Sequence, residues 1–134
     1  MPSIYVAGSS LELPPIRLLM RQIADTSPAW QLAYDWPAAI AKAGAANADL
    51  STFEKNAARI EAVSAIRGCD AFVLVAPLDP TPTAGCFVEF GIALSQIGGI
   101  PIAILGEWES VFATGAAFQT NSAREILAWL HEVL

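Results

Sequence analysis

Two hydrophobic periods alternate along this chain. SIYVA (Ser3–Ala7) is a short, largely apolar run that predicts a buried first strand. It is followed by PPIRLLMRQIADT, in which Ile16, Leu19, Met20 and Ile23 recur at helical spacing behind a Pro-Pro start. WQLAYD (Trp30–Asp35) alternates as a second strand would. In LSTFEKNAARIEAVSAIRGCD, Ser51 and Glu54 form a capping-box pattern, and Ala57, Ile60, Val63 and Ile66 predict one buried helical face. AFVLVAP (Ala71–Pro77) is apolar throughout, as a central parallel strand must be when both its faces are covered. The pattern then predicts a helix over Gly85–Ile97, with Phe87, Phe90, Leu94 and Ile97 toward the sheet, and a fourth strand over Pro101–Leu105. A short fifth strand falls around Ala116–Gln119, and SAREILAWLHEVL closes as a helix with Ile126, Leu127 and Leu130 inward.

This βαβα rhythm calls for an α/β fold: a three-layer, doubly wound parallel sheet of about five strands, flavodoxin- or Rossmann-like. A length of 134 residues suits a single domain spanning 1–134. The least regular stretches are Pro37–Leu50, rich in Ala and Gly, and LDPTPTAG (Leu78–Gly85).

Composition narrows the chemistry. Hydrophobic residues make up 54% and charged residues 15%, which excludes a disordered chain. The apolar runs are too interrupted to span a membrane. MPSIYVAG has neither the basic flank nor the apolar stretch of a signal peptide, so a cytoplasmic location is expected. A net charge of -6 without a basic patch argues against nucleic-acid binding. Cys69 and Cys86 fit no metal spacing and read as reduced thiols, and the only histidine is His131. No metal and no cofactor are expected, and any chemistry falls to carboxylates, hydroxyls and backbone dipoles.

One carboxylate stands out. Between Asp79 and Glu107 the only charged residue is Glu89. It sits about one turn inside the helix that follows the central strand, where an open parallel sheet binds its ligands. Gly85, Cys86 and Ala93 share its line on the helix and leave room beside it. A solvated outer-face glutamate is the competing account, but a helix with no second charge does not present an ordinary solvated face.

IYVAGSS, CDAFVLVAPL and TAGCFVEFGIALSQIGGIPIAILG resemble, in order and spacing, the nucleoside 2-deoxyribosyltransferase family, whose wider superfamily includes deoxynucleoside 5′-monophosphate N-glycosidases. The likeness runs from Ser3 to Gly106 and is strongest in the G-x-x-x-E-x-G pattern, Gly85–Gly91. It implies cleavage of an N-glycosidic bond, by hydrolysis or base exchange, with Glu89 as the nucleophile and Tyr5 as the tyrosine that positions it. Gly8, Ser9 and Ser10 would form the loop that holds sugar hydroxyls or phosphate; Ser is also a favoured helix cap. Thr83 stands where transferases carry a sugar-gripping aspartate and monophosphate hydrolases a small hydroxyl residue, which tilts the choice slightly to hydrolysis. Asp79 is a displaced sugar-binding acid or an Asp-Pro turn former. Trp36 would stack on the base or pack in the core.

Two departures matter. The arginine expected after the first glycine-serine is absent, Leu11, Glu12 and Leu13 standing there instead, and Arg17 lies a turn or more into the helix. The family's helical aspartate falls on Ala62, with Glu61 beside it as a substitute or a solvated acid. Asp70 falls at the wrong end of the sheet for catalysis and reads as structural. The family's sites are often completed by a neighbouring subunit, and EWESVFATG, with Trp108 and Phe112 reading as exposed, predicts a homodimer or higher homo-oligomer. The expected partner is a small nucleoside or nucleotide. Competing accounts are a non-catalytic nucleotide or nucleotide-sugar sensor, an NAD-cleaving relative, and a phospho-acceptor receiver, the last disfavoured because the only lysines are Lys42 and Lys55.

Overall fold

A computed structural model describes residues 1–43, 50–80 and 84–134. Thr83, and the part of Pro37–Leu50 beyond residue 43, lie outside the described residues apart from Leu50 itself. The elements run β1 (Ser3–Ala7), α1 (Leu13–Thr26), β2 (Gln31–Leu32), α2 (Trp36–Ala43), α3 (Thr52–Gly68), β3 (Ala71–Val75), α4 (Gly85–Leu94), β4 (Ile102–Leu105), a 3-10 turn (Val111–Gly115), β5 (Phe118–Thr120) and α5 (Ala123–Val133).

Five parallel strands lie in the order β2-β1-β3-β4-β5, so the chain reverses its direction of winding between β1 and β3. Alternation along each strand builds two cores. Ile4, Val6, Val73 and Ala103 meet α1 and α5 through Ile16, Leu19, Ile23, Ile126 and Leu130. Tyr5, Ala7, Phe72, Leu74 and Ile104 meet α3 and α4 through Ile66, Cys86, Phe90 and Ala93. Every residue of β1 and β3 is buried, as coverage on both faces requires. Gly8 lets α1 close on the sheet, because a Cβ there would collide with the Ile16 side chain.

Several expectations shift. The second strand is two residues long rather than Trp30–Asp35: it is an edge strand, and Asp35 Oδ1 accepts the Ala38 N–H at 3.2 Å, starting α2 within the stretch expected to be irregular. The predicted helix to Ile97 stops at Leu94, because Gly98 and Gly99 take positive φ, and Ile97 is fully exposed. The capping box at Ser51 and Glu54 forms as expected. The buried face of α3 does not: Ile66 is buried and Ala62 and Ala65 pack on the core, whereas Ile60 is 54% exposed and Phe53 82%. The amino-terminal half of α3 borders a cavity instead of core. Trp108 is half-buried rather than exposed, stacked on Phe87 at 4.8 Å and edge-on to Phe90 at 5.1 Å. Phe112 is exposed, as expected.

Candidate active site

The reversal between β1 and β3 leaves a crevice at the carboxyl ends of the strands, the place where open α/β sheets bind ligands. A cavity of about 900 Å³ occupies it, within the roughly 300–1,000 Å³ typical of small-molecule sites. Its walls come from the first loop (Gly8, Ser10, Leu11), the end of β2 (Tyr34), α2, α3 and the start of α4. Most of that surface is apolar, including Leu50, Ile40, Phe53 and Val88.

Glu89 and Tyr5 meet in this cavity. Tyr5 alternates on β1 toward α3 and α4, its ring stacked parallel to Phe72 at 5.6 Å. Its hydroxyl donates a hydrogen bond to Glu89 Oε2, from the second turn of α4. Burial raises the Glu89 carboxyl to about 7, and the hydrogen bond from Tyr5 pulls the other way. Burial, reinforced by the Glu89 charge, holds the Tyr5 phenol well above its ordinary range, so Tyr5 remains a donor at any working pH. Two carboxylate environments thus coexist on one side of the sheet: solvated acids, and one acid poised near neutrality.

Around this pair the other candidates sort clearly. Gly8, Ser10 and Gly85 reach the wall, and a Cβ at Gly85 would meet open space. Ser9 is buried and its Oγ accepts the Leu11 N–H at 3.2 Å, shaping the loop while Ser10 lines the cavity. Trp36 packs in the core, one of the two roles the sequence left open, and also reaches the cavity. Its Nε1 donates to Val6 O at 2.8 Å and its ring packs on both cores, yet it also lines the cavity. Asp79 is exposed in the loop after β3 and does not reach the wall, although its backbone N–H is bonded to Glu12. Asp70 accepts the Ser3 N–H at 2.8 Å at the opposite end of the sheet, a structural tie.

Glu61 is brought to the cavity, on α3, across from α4. Tyr34 was not singled out by sequence. Its half-buried phenol is raised by burial and then by the charges of Glu61 and Glu89, which line the same cavity. Its position at the carboxyl end of β2 was the signal that could have found it. Cys86 lines the cavity too, but burial and the Glu89 charge push its thiol up to about 11, which leaves it a poor nucleophile at neutral pH.

Fold and site together define a flavodoxin-like, doubly wound α/β domain with a tyrosine-held glutamate at its switch point. The same architecture occurs in a solved structure, the CMP N-glycosidase BcmB of Clostridium botulinum. That structure matches 96% of this chain and 98% of its own with a TM-score of 0.57 at 18% identity, a likeness of fold. The doubly wound α/β fold expected from the sequence is therefore the one observed. No protein-family model matches the sequence, and neither does any curated protein. Among the described residues no helix is long and apolar enough to cross a membrane.

Proposed function

We propose that the protein cleaves the N-glycosidic bond of a nucleoside or its 5′-monophosphate, with Glu89 as the nucleophile. The observation that carries this reading is the Tyr5–Glu89 pair, held inside a largely apolar cavity at the switch point. The fold shared with a CMP N-glycosidase supports the same class of reaction.

This reading entails the following steps. The ionised Glu89 carboxylate attacks C1′ of the sugar. The bond from C1′ to the base nitrogen breaks, its electron pair leaves with the base, and the base takes up a proton. That proton comes from solvent. The product is a glycosyl ester on Glu89, as in retaining glycosidases. Water, or a second base, then attacks C1′ and restores the carboxylate, and Thr83 tilts the choice toward water. Tyr5 holds the carboxylate in place through the sequence, and the apolar walls limit competition from bulk water.

Because Glu89 must be ionised to attack, its position near pH 7 predicts cleavage that rises with pH through neutrality. The direct test incubates the protein with nucleosides, their 5′-monophosphates and NAD, and follows released base by chromatography. Base release from a nucleoside or monophosphate that disappears in Glu89→Gln is the expected result. Release that persists in the variant removes Glu89 from the role, and release from NAD alone points to a different substrate class.

A further inference from the structure

Tyr5 shares the cavity with a second phenol, Tyr34. Leu32 on β2 packs against the α1 and α5 core, and a strand that continued would carry Tyr34 to the same side two residues on. A bend at Ala33 intervenes. Tyr34 packs instead against the core that holds Tyr5 and Phe72, and it forms part of the cavity wall. Other polar tips nearby are already engaged. The Tyr5 hydroxyl is spent on Glu89, and Trp36 Nε1 donates to Val6 O at 2.8 Å. The Tyr34 hydroxyl makes no hydrogen bond among the described residues. It is nonetheless close enough to the pair to feel the Glu89 charge and to act on Tyr5 in turn. Burial and the neighbouring acids raise its phenol, so it keeps its proton at neutral pH.

The cleavage reaction proposed above, on which this inference rests, sets where the base lies. A carboxylate that displaces the base at C1′ approaches from the face of the sugar opposite the breaking bond. The base therefore points away from Glu89. Strand order places β1 between β2 and β3. Glu89, on the helix that follows β3, enters the cavity from one side, and Tyr34, at the end of β2, enters from the other. As the bond breaks, its electron pair passes to the base and spreads over ring nitrogens and carbonyl oxygens. A donor fixed on that side would lower the barrier. The cations of the α3 wall are poor substitutes. Lys55 and Arg59 are exposed beside Glu54 and Glu61, and Arg59 is bonded to Asn56 Oδ1 at 2.7 Å.

We propose that Tyr34 is a further catalytic residue: its phenol donates a hydrogen bond to a ring nitrogen or carbonyl oxygen of the departing base and stabilises the charge that builds there. Tyr34 keeps its proton, and the released base takes one from solvent. The two phenols thus divide the work, Tyr5 holding the nucleophile and Tyr34 the leaving group.

The experiment compares wild type, Tyr34→Phe and Glu89→Gln on guanosine and cytidine, in ribo and deoxy forms, with and without a 5′-phosphate. Each is set beside its cationic counterpart, methylated at N7 of guanine or N3 of cytosine, whose base departs neutral and needs no donor. For the unmethylated substrates that wild type cleaves, Tyr34→Phe should lower kcat/KM on the order of 100-fold, while the methylated ones should stay within about threefold. Glu89→Gln should lose both sets. An equal fall on both sets overturns the proposal, since Tyr34 would then only shape the wall, and so does no fall on either. Base release in wild type that Tyr34→Phe leaves undiscriminated sinks the role of Tyr34 alone. If wild type releases no base from any of these compounds, the cleavage reading fails and the proposal falls with it.

Discussion

The two faces of the sheet are built from similar apolar strands and end in opposite states. On one, α1 and α5 lie flat and seal the core; Ile16, Leu19, Ile23, Ile126 and Leu130 are at most 1% exposed. On the other, α4 packs down together with the carboxyl half of α3, while the amino half of α3 borders the cavity through Phe53, Ala57 and Ala58 and leaves Ile60 exposed. The same face receives Tyr5 and Glu89, a polar pair in surroundings that otherwise carry aliphatic and aromatic side chains. One face is organised for stability, and the other gives up contacts to keep an accessible wall. This division is common where function needs space and a strained protonation equilibrium.

Substitutions on the two faces should separate these purposes. The largest effect is expected at Glu89. Glu89→Gln should lower base release by several orders of magnitude with the circular dichroism spectrum unchanged, because the covalent step loses its nucleophile. Next comes the sealed face. Leu19→Ala should cost about 2–5 kcal/mol in denaturant unfolding, whereas Ile60→Ala on the overhanging part of α3 should stay within about 0.5 kcal/mol. Equal losses at the two positions would erase the distinction between the faces.

The protonation of Glu89 sharpens the contrast further. Its folded pKa, about 7, lies above the unfolded value of 4.5, so the folded state holds the proton more tightly. The contribution to stability is fully present below pH 4.5 and is lost as pH rises through 7, by an amount of about 1–3 kcal/mol. Glu89→Gln removes that dependence, and its melting temperature should exceed that of wild type at pH 8 but not at pH 4. A variant less stable than wild type at pH 8 would mean that the carboxylate is stabilising rather than poised. Tyr5→Phe should reduce base release about 10–100-fold. It should also shift the pH–rate profile to higher pH, since the Tyr5 hydrogen bond opposes the rise caused by burial. A modest loss is expected at Ser51→Ala, roughly 1 kcal/mol for a helix cap whose Oγ accepts the Glu54 N–H at 3.1 Å.

The fold was largely legible along the chain because its signals are local. Periodicity located β1 and the buried face of α1 to the residue, and the capping box marked the start of α3. The boundaries that moved were those set by partners. A two-residue β2 reflects an edge with one neighbour, and the exposed Ile60 sits on a turn of α3 whose neighbours Ala57, Ala58 and Glu61 line the cavity instead of core. Periodicity reports which residues could share a face and carries no information on whether anything lies under it.

The candidate site divides in the same way. Sequence alone determined that Glu89 is the isolated charge of its region and that Tyr5 lies on the first strand. It could not show that their side chains meet, because 84 residues separate them and only the parallel pairing of β1 with β3, with α4 packed above, brings them together. The same holds for Glu12. In the sequence it is merely a residue standing where an arginine was expected; in the folded chain it holds two amides 66 and 67 residues away. The near-neutral carboxyl of Glu89 is likewise a tertiary property, since local sequence supplies the acid but burial by distant residues supplies the desolvation that shifts it.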